Sequence, residues 1–131
     1  MPVQLSTAER RRILVVDDNE DAADSLAMML TLDGHEVRKA YAGAKALSCL
    51  RDFLPDVVLL DIGLPGMDGY EVARLIREEP NGARVRLIAL TGYGQESDKS
   101  RARAAGFDEH LVKPVELRNL HRALAAGAPR S

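Results

Sequence analysis

The chain alternates short apolar runs with longer stretches of helical period, and it does so five times. Ile13-Leu14-Val15-Val16 is rich in β-branched residues and too short for a helix, which predicts a strand buried on both faces. Val57-Val58-Leu59-Leu60 and Leu87-Ile88-Ala89-Leu90 carry the same signal. Residues Glu36 to Ala40 alternate as an edge strand does, and His110-Leu111-Val112 reads as a short fifth strand. Between them lie helices. Asn19 can cap a segment whose Ala22, Ala23, Leu26, Met29 and Leu30 fall at helical spacing, and Gly34 closes it. Ala44 to Leu54 carries Leu47, Leu50 and Leu54 on one stripe, stopped by Pro55. Tyr70 to Glu78 groups Val72, Leu75 and Ile76 ahead of the turn Pro80-Asn81-Gly82. Gln95 to Ala105 is more polar and ends at Gly106, and Glu116 to Ala126 aligns Leu117, Leu120 and Leu124.

Strands that alternate with helices of this length predict an α/β fold: a doubly wound, parallel, five-stranded (βα)5 sheet covered on both faces by right-handed crossovers. With 131 residues, the chain has room for one domain, expected over residues 11–126, with flexible tails at 1–10 and 127–131. Composition then narrows the chemistry. The balance of 20 acidic and 18 basic residues, with 4% aromatics and no Trp, predicts no direct nucleic-acid partner. No apolar run approaches the roughly 20 residues needed to span a bilayer, so no membrane partner is expected. The single cysteine, Cys49, has no partner for a disulfide and suits a reducing cytoplasm, where it reads as small apolar filler. Met28 and Met29 read as core or near-core filler, and His35 and His121 as surface or helix-end residues.

In open parallel sheets, ligands bind at the carboxyl ends of the strands. There the first strand runs into Asp17-Asp18, the third into Asp61, the fourth into Thr91 and the fifth into Lys113-Pro114. Any one of these residues could be a simple turn or cap residue; together they converge on one mouth. Crowded carboxylates repel, by about 4 kcal/mol per pair at 4 Å and an effective dielectric near 20. Hard oxygen donors of this kind favour Mg²⁺, and Lys113 adds a compact positive charge and Thr91 a hydroxyl. A metal, an ammonium, a hydroxyl and a nucleophilic carboxylate make a phosphoryl-transfer constellation, with Asp61 as its natural nucleophile.

These segments resemble the receiver domain of two-component response regulators. The likeness rests on Ile13 to Asn19, on Val57 to Gly69, on Ala89-Leu90-Thr91-Gly92, and on Ala105-Gly106-Phe107-Asp108 with Lys113-Pro114. It implies a flavodoxin-like sheet of strand order 2-1-3-4-5. It also implies that Asp61 is the phosphoacceptor for a phosphohistidine on a histidine kinase or histidine phosphotransfer domain. Asp17, Asp18, Asp61 and the backbone carbonyl of Gly63 would then hold Mg²⁺, with Mn²⁺ as a substitute. Thr91 and Lys113 would meet the phosphoryl group, the Lys113–Pro114 bond would be cis, and the face of the fourth helix, fifth strand and fifth helix would switch. A downstream effector, not identified by the sequence, would read that face.

Two departures from the family pattern stand out. The switch position three residues before the lysine, commonly Tyr or Phe, is His110, and the phosphoryl-flanking positions are Gly63 and Tyr93. Gly63 offers no side chain to position water and Tyr93 could cover the site, which predicts a long-lived phosphoryl group. Three rivals share some of these features. A haloacid-dehalogenase-type phosphatase needs a second acid two residues after its nucleophile, where this chain has Gly63. A flavin module needs a phosphate loop where Asp17-Asp18-Asn19-Glu20 would repel one. A pseudo-receiver would act as an interaction module without phosphorylation. The expected role is therefore a signalling phosphoacceptor, at most self-phosphorylating and self-dephosphorylating, rather than an enzyme acting on a separate substrate.

Overall fold

A computed structural model describes residues 10–63, 68–92 and 99–126. In chain order the elements are β1 (Arg12–Val16), α1 (Glu20–Leu32), β2 (Glu36–Ala40), α2 (Gly43–Phe53), β3 (Val57–Asp61), α3 (Gly69–Glu78), β4 (Arg86–Thr91), α4 (Lys99–Ala105), β5 (Glu109–Val112) and α5 (Leu117–Ala126). The strands form one parallel sheet in the order β2-β1-β3-β4-β5. The three most apolar strands take the centre, because each must bury both faces. The alternating strand β2 takes an edge, with Glu36, Arg38 and Lys39 exposed.

Strand periodicity divides the core in two. Ile13, Val15, Val57, Leu59, Ile88 and Leu90 face α1 and α5, while Leu14, Val16, Val58, Leu60, Leu87 and Ala89 face α2, α3 and α4. Helix ends follow local chemistry. The Asn19 side chain accepts the Ala22 N–H at 3.1 Å, and Gly34 and Gly106 take φ of 101° and 110°, values that glycine adopts freely. Two sequence expectations are corrected here. Leu54 is not on the buried stripe of α2: it is an exposed left-handed cap with φ 55°, and Phe53 is the residue that anchors the helix end. Met28 is not core filler but 64% exposed, because it sits on the outer face of α1. The expected tails lie outside the described residues except Arg10 of the first, as do the Leu64 to Met67 part of the motif, Tyr93, and the Gln95 to Asp98 start of the fourth helix.

Candidate functional site

Parallel strands place all their carboxyl ends at one edge, and register then selects which side chains meet. Val16 pairs with Leu60, so the next residues on β1 and β3, Asp17 and Asp61, are neighbours. Thr91 pairs with Val112, which puts Lys113 one step beyond on the adjacent strand. The Lys113 N–H donates to the Thr91 carbonyl at 2.7 Å, and the Lys113–Pro114 peptide is cis. The Lys113 ammonium then bridges two acids: Nζ lies 2.7 Å from Asp17 Oδ2 and 3.0 Å from Asp61 Oδ2.

The second oxygen of each acid is held by backbone. Asp17 Oδ1 accepts the Asn19 N–H at 3.0 Å, and Asp61 Oδ1 accepts the Gly63 N–H at 2.8 Å. Asp17 and Asp61 are buried, whereas Asp18 is exposed. Carboxylate oxygens of Asp17, Asp18 and Asp61 nonetheless lie within 4.8 Å of one another. Burial raises the Asp17 carboxyl above its ordinary value despite the Lys113 ammonium and the Asn19 N–H, and neighbouring Asp61 pushes the same way. Burial would lower Lys113, but its two carboxylate partners hold it above its ordinary value. Three acids facing one ammonium leave a surplus of negative charge on hard oxygen donors, which suits a small divalent cation.

Thr91 lies at the same edge, 1% exposed, with its hydroxyl donating a long 3.5 Å bond to the Leu111 carbonyl rather than turning to Asp61. His110 is half-buried on β5, opposite Ala89. Gly63 meets Asp61 through its N–H, a contact that only the folded loop reveals. A further feature escaped the sequence reading: an apolar groove of about 430 Å³ beside the acids. Ala22, Ser25, Leu26 and Met29 of α1, with Leu90, Pro114 and Val115, line it together with Asp17 and Lys113. Its signal was present in the helical spacing of residues 22, 25, 26 and 29, but that spacing alone reads as core. Away from the site, His121 is exposed on α5 and paired with Asp33, and Cys49 packs half-buried against the core. His35, expected at the surface, is 8% exposed because its ring turns inward to accept a backbone N–H.

The sequence profile of the response regulator receiver domain matches residues 13–125. This chain belongs to that family. The receiver domain is 40% identical over 118 residues to a 14.6 kDa protein in the sodA1 3′ region of Leptolyngbya boryana, covering 90% of each. It is 35% identical over 115 residues to the protein PilH of Pseudomonas aeruginosa, covering 88% of this chain and 95% of that one. Among solved structures, it resembles the receiver domain of the sensor histidine kinase PA1611 from Pseudomonas aeruginosa, with a TM-score of 0.82 and 32% identity, covering 92% of this chain and 99% of the other. That structure holds a magnesium ion coordinated in its active-site cleft. Family membership sets aside the dehalogenase-type and flavin readings.

Proposed function

We propose that this receiver domain accepts a phosphoryl group on Asp61 from a phosphohistidine donor, in a Mg²⁺-dependent reaction, and so relays a signal in the cytoplasm. The observation that carries the reading is the Lys113 ammonium shared between Asp17 and Asp61, with a third carboxylate, that of Asp18, close by. Asp17, Asp18 and Asp61 would hold the ion, with the Gly63 carbonyl as a further ligand and Mn²⁺ as a substitute. Bound there, it supplies neutralisation of the charge that gathers on the transferring phosphoryl oxygens.

The protein's own groups do the rest. A carboxylate oxygen of Asp61 attacks phosphorus, a P–O bond forms, and the P–N bond to the donor imidazole breaks. Its electron pair stays on the nitrogen, which takes a proton from solvent. The Asn19 and Gly63 N–H groups hold the two acids in place during the exchange. Transfer adds nearly two negative charges and three acceptor oxygens beside Lys113. The Thr91 hydroxyl exchanges its long bond to Leu111 for a phosphoryl oxygen, and the α4-β5-α5 face, with His110 on β5, shifts toward a second arrangement that an effector reads. Gly63, which offers no side chain to position water next to Asp61, lengthens the life of the phosphoryl group. The functional unit spans residues 11–126, and the domain acts on no separate substrate.

Incubation with Mg²⁺ and acetyl phosphate carrying labelled phosphorus tests this. Wild type takes up label, EDTA prevents it, and Asp61→Asn takes up none. Labelling of Asp61→Asn at the wild-type level overturns the assignment.

A further inference from the structure

The loop carrying Asp61 and the helix α4 are joined by side chains as well as by the covalent chain. Arg101, in the first turn of α4, reaches across to the start of α3: its Nη2 donates to Asp68 Oδ2 at 2.6 Å, and its Cζ lies 4.3 Å over the Tyr70 ring. Asp68 is also the N-cap of α3, its Oδ1 accepting the Tyr70 N–H at 2.9 Å. One carboxylate therefore closes α3 and holds α4. The Tyr70 ring stands edge-on to Phe107, two residues beyond α4, with centroids 6.1 Å apart and planes at 84°. Both ends of α4 are thus tied to the same tyrosine.

Asp68 has little slack relative to the acceptor. The Gly69 N–H donates to the Ile62 carbonyl, and a Cβ at Gly69 would stand 2.4 Å from the Ile62 Cα, so the chain crosses itself directly after Asp61. Ile62 in turn donates its N–H to the Leu90 carbonyl on β4 at 3.2 Å. Asp68 and its Arg101 partner are thus joined to the residue after Asp61 by the close Ile62–Gly69 approach. The second link from the site to α4 is the chain that leaves Thr91, whose hydroxyl here points to Leu111. The grip on α4 and the turned-away threonine belong to one arrangement.

We propose that Arg101 is a positioning residue for phosphoryl transfer: its joint hold on Asp68 and Tyr70 latches α4 in the arrangement that accompanies an unphosphorylated Asp61. The latch rests on the phosphoacceptor reading and deepens it. A contact biases an equilibrium only by the difference it makes between the two states. An exposed ion pair and an exposed cation–π contact give a bias of about threefold when both are lost.

The test is a beryllium fluoride titration in Mg²⁺ of wild type, Arg101→Gln, Asp68→Asn and the double variant, with hydrogen exchange read on the α4 amides. Asn retains the helix cap while removing the charge. Arg101→Gln should half-saturate at about threefold lower beryllium fluoride, and its α4 amides should exchange, before loading, about threefold faster than those of unloaded wild type. Asp68→Asn, which leaves Arg101 over the Tyr70 ring, should shift binding in the same direction by less, and the double variant should match Arg101→Gln alone, a result that general loosening of a helix does not give. Unchanged or weaker binding by an Arg101→Gln protein that still saturates overturns the latch and leaves the acceptor assignment intact. Failure of folded wild type to bind overturns both.

Discussion

Asp17 is a buried carboxyl whose surroundings disfavour its charge. It is 2% exposed, and its burial holds the carboxyl above its ordinary value of 3.8 even with an ammonium 2.7 Å away. A folded-state value above the unfolded one means that the folded chain binds the proton more readily. The stability this gives is present below pH 3.8 and is lost as pH rises through the folded value. At neutral pH the ionised carboxylate is therefore a load that the fold carries for its site. Asp17→Asn keeps an oxygen for the Asn19 N–H and removes the charge. Its urea midpoint at neutral pH should exceed that of wild type, the advantage should vanish below the ordinary carboxylate range, and Mg²⁺-dependent labelling should be lost. A variant less stable than wild type at neutral pH would contradict this account of burial.

Helix ends decide how well each element holds its residues at the sheet edge. α1 begins with a working cap, the Asn19 side chain on the Ala22 N–H, directly beside the acids. α2 begins at Ala42, which is exposed and extended at φ −155° and offers no side-chain cap. The two should respond in opposite directions: Asn19→Ala loses about 1 kcal/mol, and Ala42→Ser gains up to about 1 kcal/mol. Urea unfolding followed by circular dichroism measures both, and equal responses would show that capping does not govern these ends. At its other end α2 is fixed by Phe53, a fully buried ring with the guanidinium carbons of Arg12 and Arg38 at 4.6 and 5.0 Å. That anchoring leaves the following Leu54 facing solvent, so helical spacing alone overstated the buried stripe by one residue.

Across the whole molecule, the chemistry gathers at one pole of the sheet and a histidine secures the other. His35 Nδ1 accepts the Arg11 N–H at 3.0 Å, which places the ring proton on Nε2. Burial lowers the His35 value below 6.5; Asp33 opposes this, while Arg11, His121 and Arg10 add to it. With the folded value below the unfolded one, the unfolded chain takes up the proton more readily. Stability is full above pH 6.5 and falls as pH drops through the folded value, where a protonated Nδ1 would confront the Arg11 donor. Wild type should lose urea resistance as pH falls below 6.5. His35→Asn, whose oxygen accepts the same N–H without titrating, should flatten that slope. A slope unchanged in the variant would assign it to other groups.

The sequence by itself determined the element order, the parallel class and the five polar residues at the strand ends. The physical reason is that a four-residue run of β-branched and leucine side chains is too short for a buried helix and suits a strand covered on both faces, whose following residue emerges at the sheet edge. Whole-chain motifs also carried the strand order through family resemblance. Tertiary structure alone decided the rest. Only register brings Lys113 between Asp17 and Asp61, because one step of slip would turn these side chains to opposite faces. The groove on α1, the inward turn of His35 and the reach of Arg101 to Asp68 depend on which neighbour covers each helix face. Helical period records that a residue is apolar or charged, but not what stands opposite it.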